Sequence, residues 1–293
     1  MLNIQKLVIE SFVEDLKKKY REIYSILDEE YCNVAAWIGK LALENIANTD
    51  APYHNLDHTI MVSSVGLQIL KGKHILEGGV APKDWLHFML ALLCHDIGFV
   101  RGICREDING TIATGINEQT IEFPHAKSDA ALMPYHVDRS KLFIRERFGN
   151  KLFADIDAEK VADYIEMTRF PIPDEDFYKS TITFGGLVRA ADFIGQLGDP
   201  NYLRKIPALY YEFVETGADK KLNYKNPGQM RQSYAKFYWH VVNPYINDAL
   251  KYLHVTQEGK QWVANLQSHV FDVEHNQYRH EIMPDFQKIN EES

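Results

Sequence analysis

The chain has 293 residues, 45% hydrophobic and 25% charged, an ordinary globular composition with ample apolar material for a large core. Its net charge of −9, from 32 Lys and Arg against 41 Asp and Glu, repels nucleic-acid backbones and anionic membranes and argues against either as a partner. No apolar run approaches membrane-spanning length, and the opening Met-Leu-Asn-Ile-Gln-Lys reads as neither signal peptide nor anchor.

The predicted elements are helices nearly throughout. Residues 4–30 place Leu7, Val8, Phe12, Leu16, Tyr20, Ile23 and Leu27 on one helical stripe, and 33–47 continues it with Ala35, Ile38, Leu41 and Ile46. The patterns of 58–71 and 82–97 are helical, the second with Pro82 near its start and Gly98 just past its end. Breaker-rich stretches at 78–79 and 102–115 punctuate the chain, and 101–123, its least regular part, reads as a flap over a site. Helices are expected at 126–133, 138–148, 157–169, 182–197, 200–216, 228–252 and 257–270. Loops at 171–176 and 217–227 interrupt them. No segment shows strand alternation with hairpin turns, and there is no internal repeat or long linker. The expectation is one all-α domain over 1–293, with helices of 1–48 packed on a core of about 50–250 and a frayed tail from about 283.

Three cysteines, Cys32, Cys94 and Cys104, show no pairing pattern, which fits a reducing cytoplasm. Cys94 stands beside His95 but closes an apolar run and reads as a buried small hydrophobe.

Three short patches carry chemistry: Tyr53-His54-Asn55-Leu56-Asp57-His58, His95-Asp96, and Ala190-Ala191-Asp192. Imidazole and carboxylate together hold a divalent metal and leave positions open for water. On a helix, His54 and His58 would share a face. Asp96 ends the run Phe88 to Cys94, and a carboxylate there is costly to bury unless paired or ligating. Asp192 lies in a small, apolar helix; an ion pair with Arg189 would explain it alone, but the three patches together favour metal.

In combination these residues resemble the HD-domain superfamily of metal-dependent phosphohydrolases. Within it the chain is similar to the catalytic domain of class I cyclic-nucleotide phosphodiesterases. The match covers the Tyr-His-Asn-x-x-His motif at 53–58, the His-Asp pair, the later Ala-Asp, the Tyr135 to Ser140 segment and the stretch from Phe237 to Tyr245, so it runs from about 50 to about 250. The resemblance implies a helical bundle with a metal site between core helices. It implies His58, His95, Asp96 and Asp192 as ligands of one metal, with Asp96 bridging to a second. His54 would be the general acid, supported by Tyr53 and Asn55, and Phe237 an aromatic clamp. The implied cofactors are one or two divalent ions: zinc, manganese, magnesium or iron. The implied reaction is hydrolysis of a phosphodiester of a small, nucleotide-like substrate by metal-activated water.

The chain departs from that pattern at two second-shell positions, which here are Phe99 and Phe143, and a purine-reading glutamine falls near Tyr234. These put cyclic-nucleotide specificity and the second metal in question, but not the first metal. Arg101, His136, Arg139 and Arg169 could neutralise a phosphate, and His136 could add a ligand, although most arginines sit on solvated faces. Phe237, Tyr238 and Trp239 are consecutive and cannot all enter one pocket. A nucleotide phosphomonoesterase, an iron oxygenase and a non-catalytic binding module remain as alternatives. Retention of His54 argues against the last, since a binder needs no acid. Homo-oligomerisation stays open.

Overall fold

The computed structural model describes residues 3–149 and 154–282. Helices make up nearly all the regular structure of these residues, and the chain is all-α. Helix α1 (Ile4–Tyr24) and α2 (Glu29–Ile46) form an antiparallel pair. The stripe expected over 4–30 does not run as one helix. Ser25 and Asp28 take positive φ values of 56° and 48°, which turn the chain, and the Tyr20 hydroxyl reaches the Leu27 and Asp28 carbonyls at 2.8 and 2.9 Å.

Helix α3 (Leu56–Glu77) is the central element, with buried residues on every side. It packs on α4 (Pro82–Cys94), α7 (Phe184–Leu197), α12 (Asn243–Leu253) and α13 (Gln257–Ile282). Glycine permits the closest of these approaches. A Cβ on Gly195 of α7 would lie 2.6 Å from the Val62 Cα, and one on Gly66 would lie 2.0 Å from Leu92 of α4. Each of these three helices carries one of the patches read from the sequence, so tight crossings bring the patches together.

Helix α4 is apolar around its whole circumference, with Trp85 through Cys94 all buried. It begins on Pro82, which needs no intrahelical partner for its missing N–H. Beyond it, Ile97–Phe99 forms a single 3₁₀ turn. Helix α5 (His136–Phe148) locks that turn in place. Ser140 donates to the His95 carbonyl at 2.7 Å and accepts from Gly98 N at 2.9 Å, and Arg139 donates to the Gly98 carbonyl at 2.6 Å. Helix α6 (Ala158–Glu166) packs on α4, α5 and α7.

Two strands correct the expectation of none. β1 (Thr111–Ala113) and β2 (Thr120–Glu122) pair antiparallel with Ile112 opposite Ile121, and Asn117 and Glu118 turn the hairpin at φ values of 49° and 58°. Three-residue strands are too short to display alternation. The remaining elements are α8 (Tyr202–Thr216), α9 (Ala218–Lys221), α10 (Pro227–Gln232) and α11 (Tyr234–Phe237). The helix expected over 228–252 is thus divided, with a π turn at Tyr238–Val242 before α12. Pro244 lacks the N–H that would bond the carbonyl four residues back, and the widened turn absorbs that loss. No helix of the described residues is long and apolar enough to cross a membrane. The tail expected to fray lies outside the described residues.

Candidate metal centre

Four side chains from three helices meet. His58 is in the first turn of α3, where Asn55 caps the helix by accepting from Asp57 N at 3.0 Å and His58 N at 3.4 Å. His95 and Asp96 directly follow α4, and Asp192 projects from the middle of α7. His58 Nε2 lies 3.3 Å from Asp96 Oδ2 and 3.4 Å from Asp192 Oδ1. His95 Nε2 lies 3.1 Å from Asp96 Oδ2 and 3.7 Å from Asp192 Oδ1. Donor atoms about 2.1 Å from a shared cation would be separated by about 3.0 Å at right angles and about 3.4 Å at tetrahedral angles. The observed separations are of that size.

The chemistry of the cluster fits a cation. His95 Nδ1 donates to the Leu92 carbonyl at 2.7 Å, which leaves Nε2 with its lone pair toward the cluster. His95 Nε2 and Asp96 Oδ2 are buried 3.1 Å apart, and neither is aligned for a hydrogen bond to the other or to any further group. Buried polar atoms without partners are rare, and two aimed at the same point call for a ligand. His58, His95 and Asp192 thus form a group able to hold a metal, and His54, His58 and Asp96 form a second that shares His58.

Electrostatics without a cation tell the same story. Burial disfavours charge on His58 and His95, yet Asp96 and Asp192 more than offset it and raise the two imidazoles to about 8 and about 9. Burial likewise opposes charge on Asp96, but the two histidines hold its carboxyl well below the usual carboxylate range. Cys94 takes no part. Burial alone pushes its thiol up to about 12, so it stays protonated. Arg189 does not pair with Asp192; it donates to the Tyr178 and Ser180 carbonyls and lies 4.2 Å from the Tyr245 ring centroid.

His54 stands beside the cluster, its ring centroid 5.5 Å from that of His58. The two do not share a helix face, because His54 precedes the Asn55 cap. Glu212 of α8 positions it. This carboxylate is fully buried, meets His54 Nδ1 at 2.5 Å, and accepts from Tyr53 N at 2.7 Å and His54 N at 3.1 Å. Burial works against the imidazolium, but the Glu212 charge and hydrogen bond prevail and raise the His54 pKa. Nothing local marks Glu212 in the sequence beyond an acidic residue between Tyr211 and Phe213, 158 positions from its partner.

Phe99 stacks on both His54 and His136, with centroids at 4.6 and 4.5 Å. His136 donates from Nδ1 to the Met133 carbonyl at 2.6 Å, and its Nε2 lies 3.8 Å from Asp96 Oδ1. Burial lowers its pKa, so it is a neutral imidazole at the edge of the cluster. Phe143 lies in the core of α5 against Phe148.

A cavity of about 430 Å³ opens on the cluster, walled there by His54, Asp96, His136 and Asp192. Phe237 lines it too. The three arginines expected at the substrate do not, because each is tied to carboxylates of the protein. Arg101 donates to Asp129 and to Asp50. Arg139 is buried on Asp107, with bonds of 2.9 and 3.0 Å, and on three carbonyls. Arg169 bonds Glu166 and Asp138. Tyr53 is buried with its ring against His54 and His58, and Asn55 serves as the cap. The segment read as a flap, 101–123, contributes nothing to the cavity wall.

A family model described as Npun_R2479-like matches residues 2–276. No curated protein and no solved structure matches the chain.

Proposed function

We propose that this chain, which belongs to the Npun_R2479-like family, hydrolyses a phosphate ester with the help of a bound divalent metal ion. The observation that carries the reading is the placement of an imidazole backed by a carboxylate, His54 on Glu212, on the same cavity wall as Asp96 and Asp192 of the cluster. His58, His95, Asp96 and Asp192 would hold the ion. A mixed nitrogen and oxygen set of this kind suits zinc, manganese or iron better than magnesium. When bound, the ion supplies an activated water and polarises a phosphoryl oxygen.

The rest falls to the protein. Glu212 fixes the His54 ring and favours its protonated form, leaving Nε2 for the cavity side. As the ester P–O bond breaks, His54 passes its proton to the departing oxygen. Phe99 covers one ring face of His54 and one of His136. A module that only bound ligand would have no use for an acid held in this way. The arrangement supports the resemblance to HD-type phosphohydrolases that act on a small phosphorylated substrate.

The test is turnover of alkyl phosphate esters by manganese-loaded protein. His54→Ala should retain stoichiometric manganese and lose about 10²–10⁴ in rate. Asp192→Ala should lose the manganese. Release of no alcohol from any mono- or diester by fully loaded protein would overturn the reading.

A further inference from the structure

We propose that the cavity beside the metal centre receives a bulky hydrocarbon arm of the ester, alkyl or aryl, in place of a hydrogen-bonding base; this rests on the phosphate-ester reading above. The cavity is within the size range of sites that enclose a small organic ligand. Away from the cluster its wall is built from Phe193, Ile206, Leu209, Phe213, Met230 and Phe237.

Polar side chains do reach this wall, but most of their hydrogen-bonding groups are taken up by one another or by backbone carbonyls. Gln196 Nε2 donates to the Tyr202 hydroxyl at 3.0 Å. The Tyr234 hydroxyl donates to the Leu197 carbonyl at 3.1 Å, so the residue nearest the position of a base-reading glutamine points its polar end into the fold. The Ser233 and Tyr224 hydroxyls meet at 3.0 Å, and Ser233 also reaches the Met230 carbonyl at 2.7 Å. Thr168 donates to the Ile165 carbonyl at 2.8 Å.

Charge points the same way. The basic residues of the wall outside the cluster are Lys236 and His240, and both are exposed, at the mouth. Among the described residues, no lysine or arginine stands on the wall between the cluster and the mouth. A base or polyphosphate entering here would surrender hydration for few replacement bonds. A hydrocarbon arm would gain about fourfold in affinity for each methylene removed from water.

Calorimetry with non-hydrolysable phosphonates tests this apart from catalysis. Manganese-loaded protein should bind pentylphosphonate on the order of 10²-fold tighter than methylphosphonate, the product of four such steps. Phenylphosphonate should share the gain, and adenosine monophosphate should bind no tighter than methylphosphonate. Leu209→Trp, which adds bulk to the cavity wall, should remove the dependence on chain length, and Ile206→Trp provides a second filling variant, with manganese counted in every sample. A flat chain-length series, tighter binding of the nucleotide, or no phosphonate binding at all would overturn the inference. Chain-length gain without ester turnover would overturn the hydrolase reading alone, and turnover without that gain would overturn the inference alone.

Discussion

Metal binding at this centre should be strongly pH-dependent, with a size that follows from the two ligand imidazoles. His58 and His95, raised to about 8 and about 9, must each lose a proton before they can ligate. At pH 7 that competition amounts to about one decade for the first and about two for the second, so apparent affinity should be about 10³-fold below its alkaline limit. Proton release, counted by calorimetry in buffers of different ionisation enthalpy, should be about 1.9 per metal at pH 7 and about 1.4 at pH 8. Stability of the metal-free protein must move the other way. Both folded-state pKa values lie above the ordinary 6.5, so the stabilisation is fully present below about 6.5 and is lost as pH rises through 8 and 9. The melting temperature of metal-free protein should therefore fall over that window, while added manganese should stabilise it increasingly. Affinity independent of pH between 6.5 and 8, or release of no protons, would refute these two histidines as the binding groups.

Three further outcomes are expected. Glu212→Gln removes the anion that holds His54 charged, so turnover of an ester with an alkyl leaving group should fall about 10²-fold, within the range for a general acid. A p-nitrophenyl ester, whose leaving group needs little protonation, should be affected far less, and equal losses on both would count against the assigned acid. Gly98→Ala would place a Cβ 2.0 Å from the His136 carbonyl oxygen and 2.9 Å from the Arg139 Cβ. It should cost about 1–3 kcal/mol in denaturant unfolding and weaken manganese binding, because the His95-Asp96 turn must shift. Arg139→Met strands Asp107 in the interior and should cost about 3–5 kcal/mol by the same measurement; wild-type stability would contradict the structural role given to this arginine.

The candidate metal-holding residues stood out in the sequence for a physical reason. Asp96 and Asp192 are carboxylates within apolar runs, and such residues must be paired or ligating wherever they fold. The surroundings were less legible because they depend on long-range pairing. Glu212 finds His54 across 158 positions, and no local pattern encodes that. Arg101, Arg139 and Arg169 suggested a phosphate because their carboxylate partners, Asp50, Asp129, Asp107 and Asp138, come from separate segments. Helical spacing misplaced His54 because Asn55 is a stronger signal as a cap than as a helix residue. Phe99, a loss when compared with the resembled family, takes up a positive place here as the stacking partner of two imidazoles.

Charge conservation explains how such a cluster can fold before any ion arrives. A buried carboxylate, Asp96, and a half-buried one, Asp192, crowd the same two imidazoles, and the fold tolerates them because the imidazoles take up protons. In that state the four groups carry no net charge. A divalent ion replaces two protons, and the cluster is again neutral. Protons thus supply the same total charge that a divalent metal would bring, so its binding would need no large electrostatic rearrangement of the surrounding core. The argument also ranks ions. A monovalent cation leaves one negative charge uncompensated, and a trivalent ion leaves one positive charge, so both should compete poorly with manganese or zinc at equal concentration.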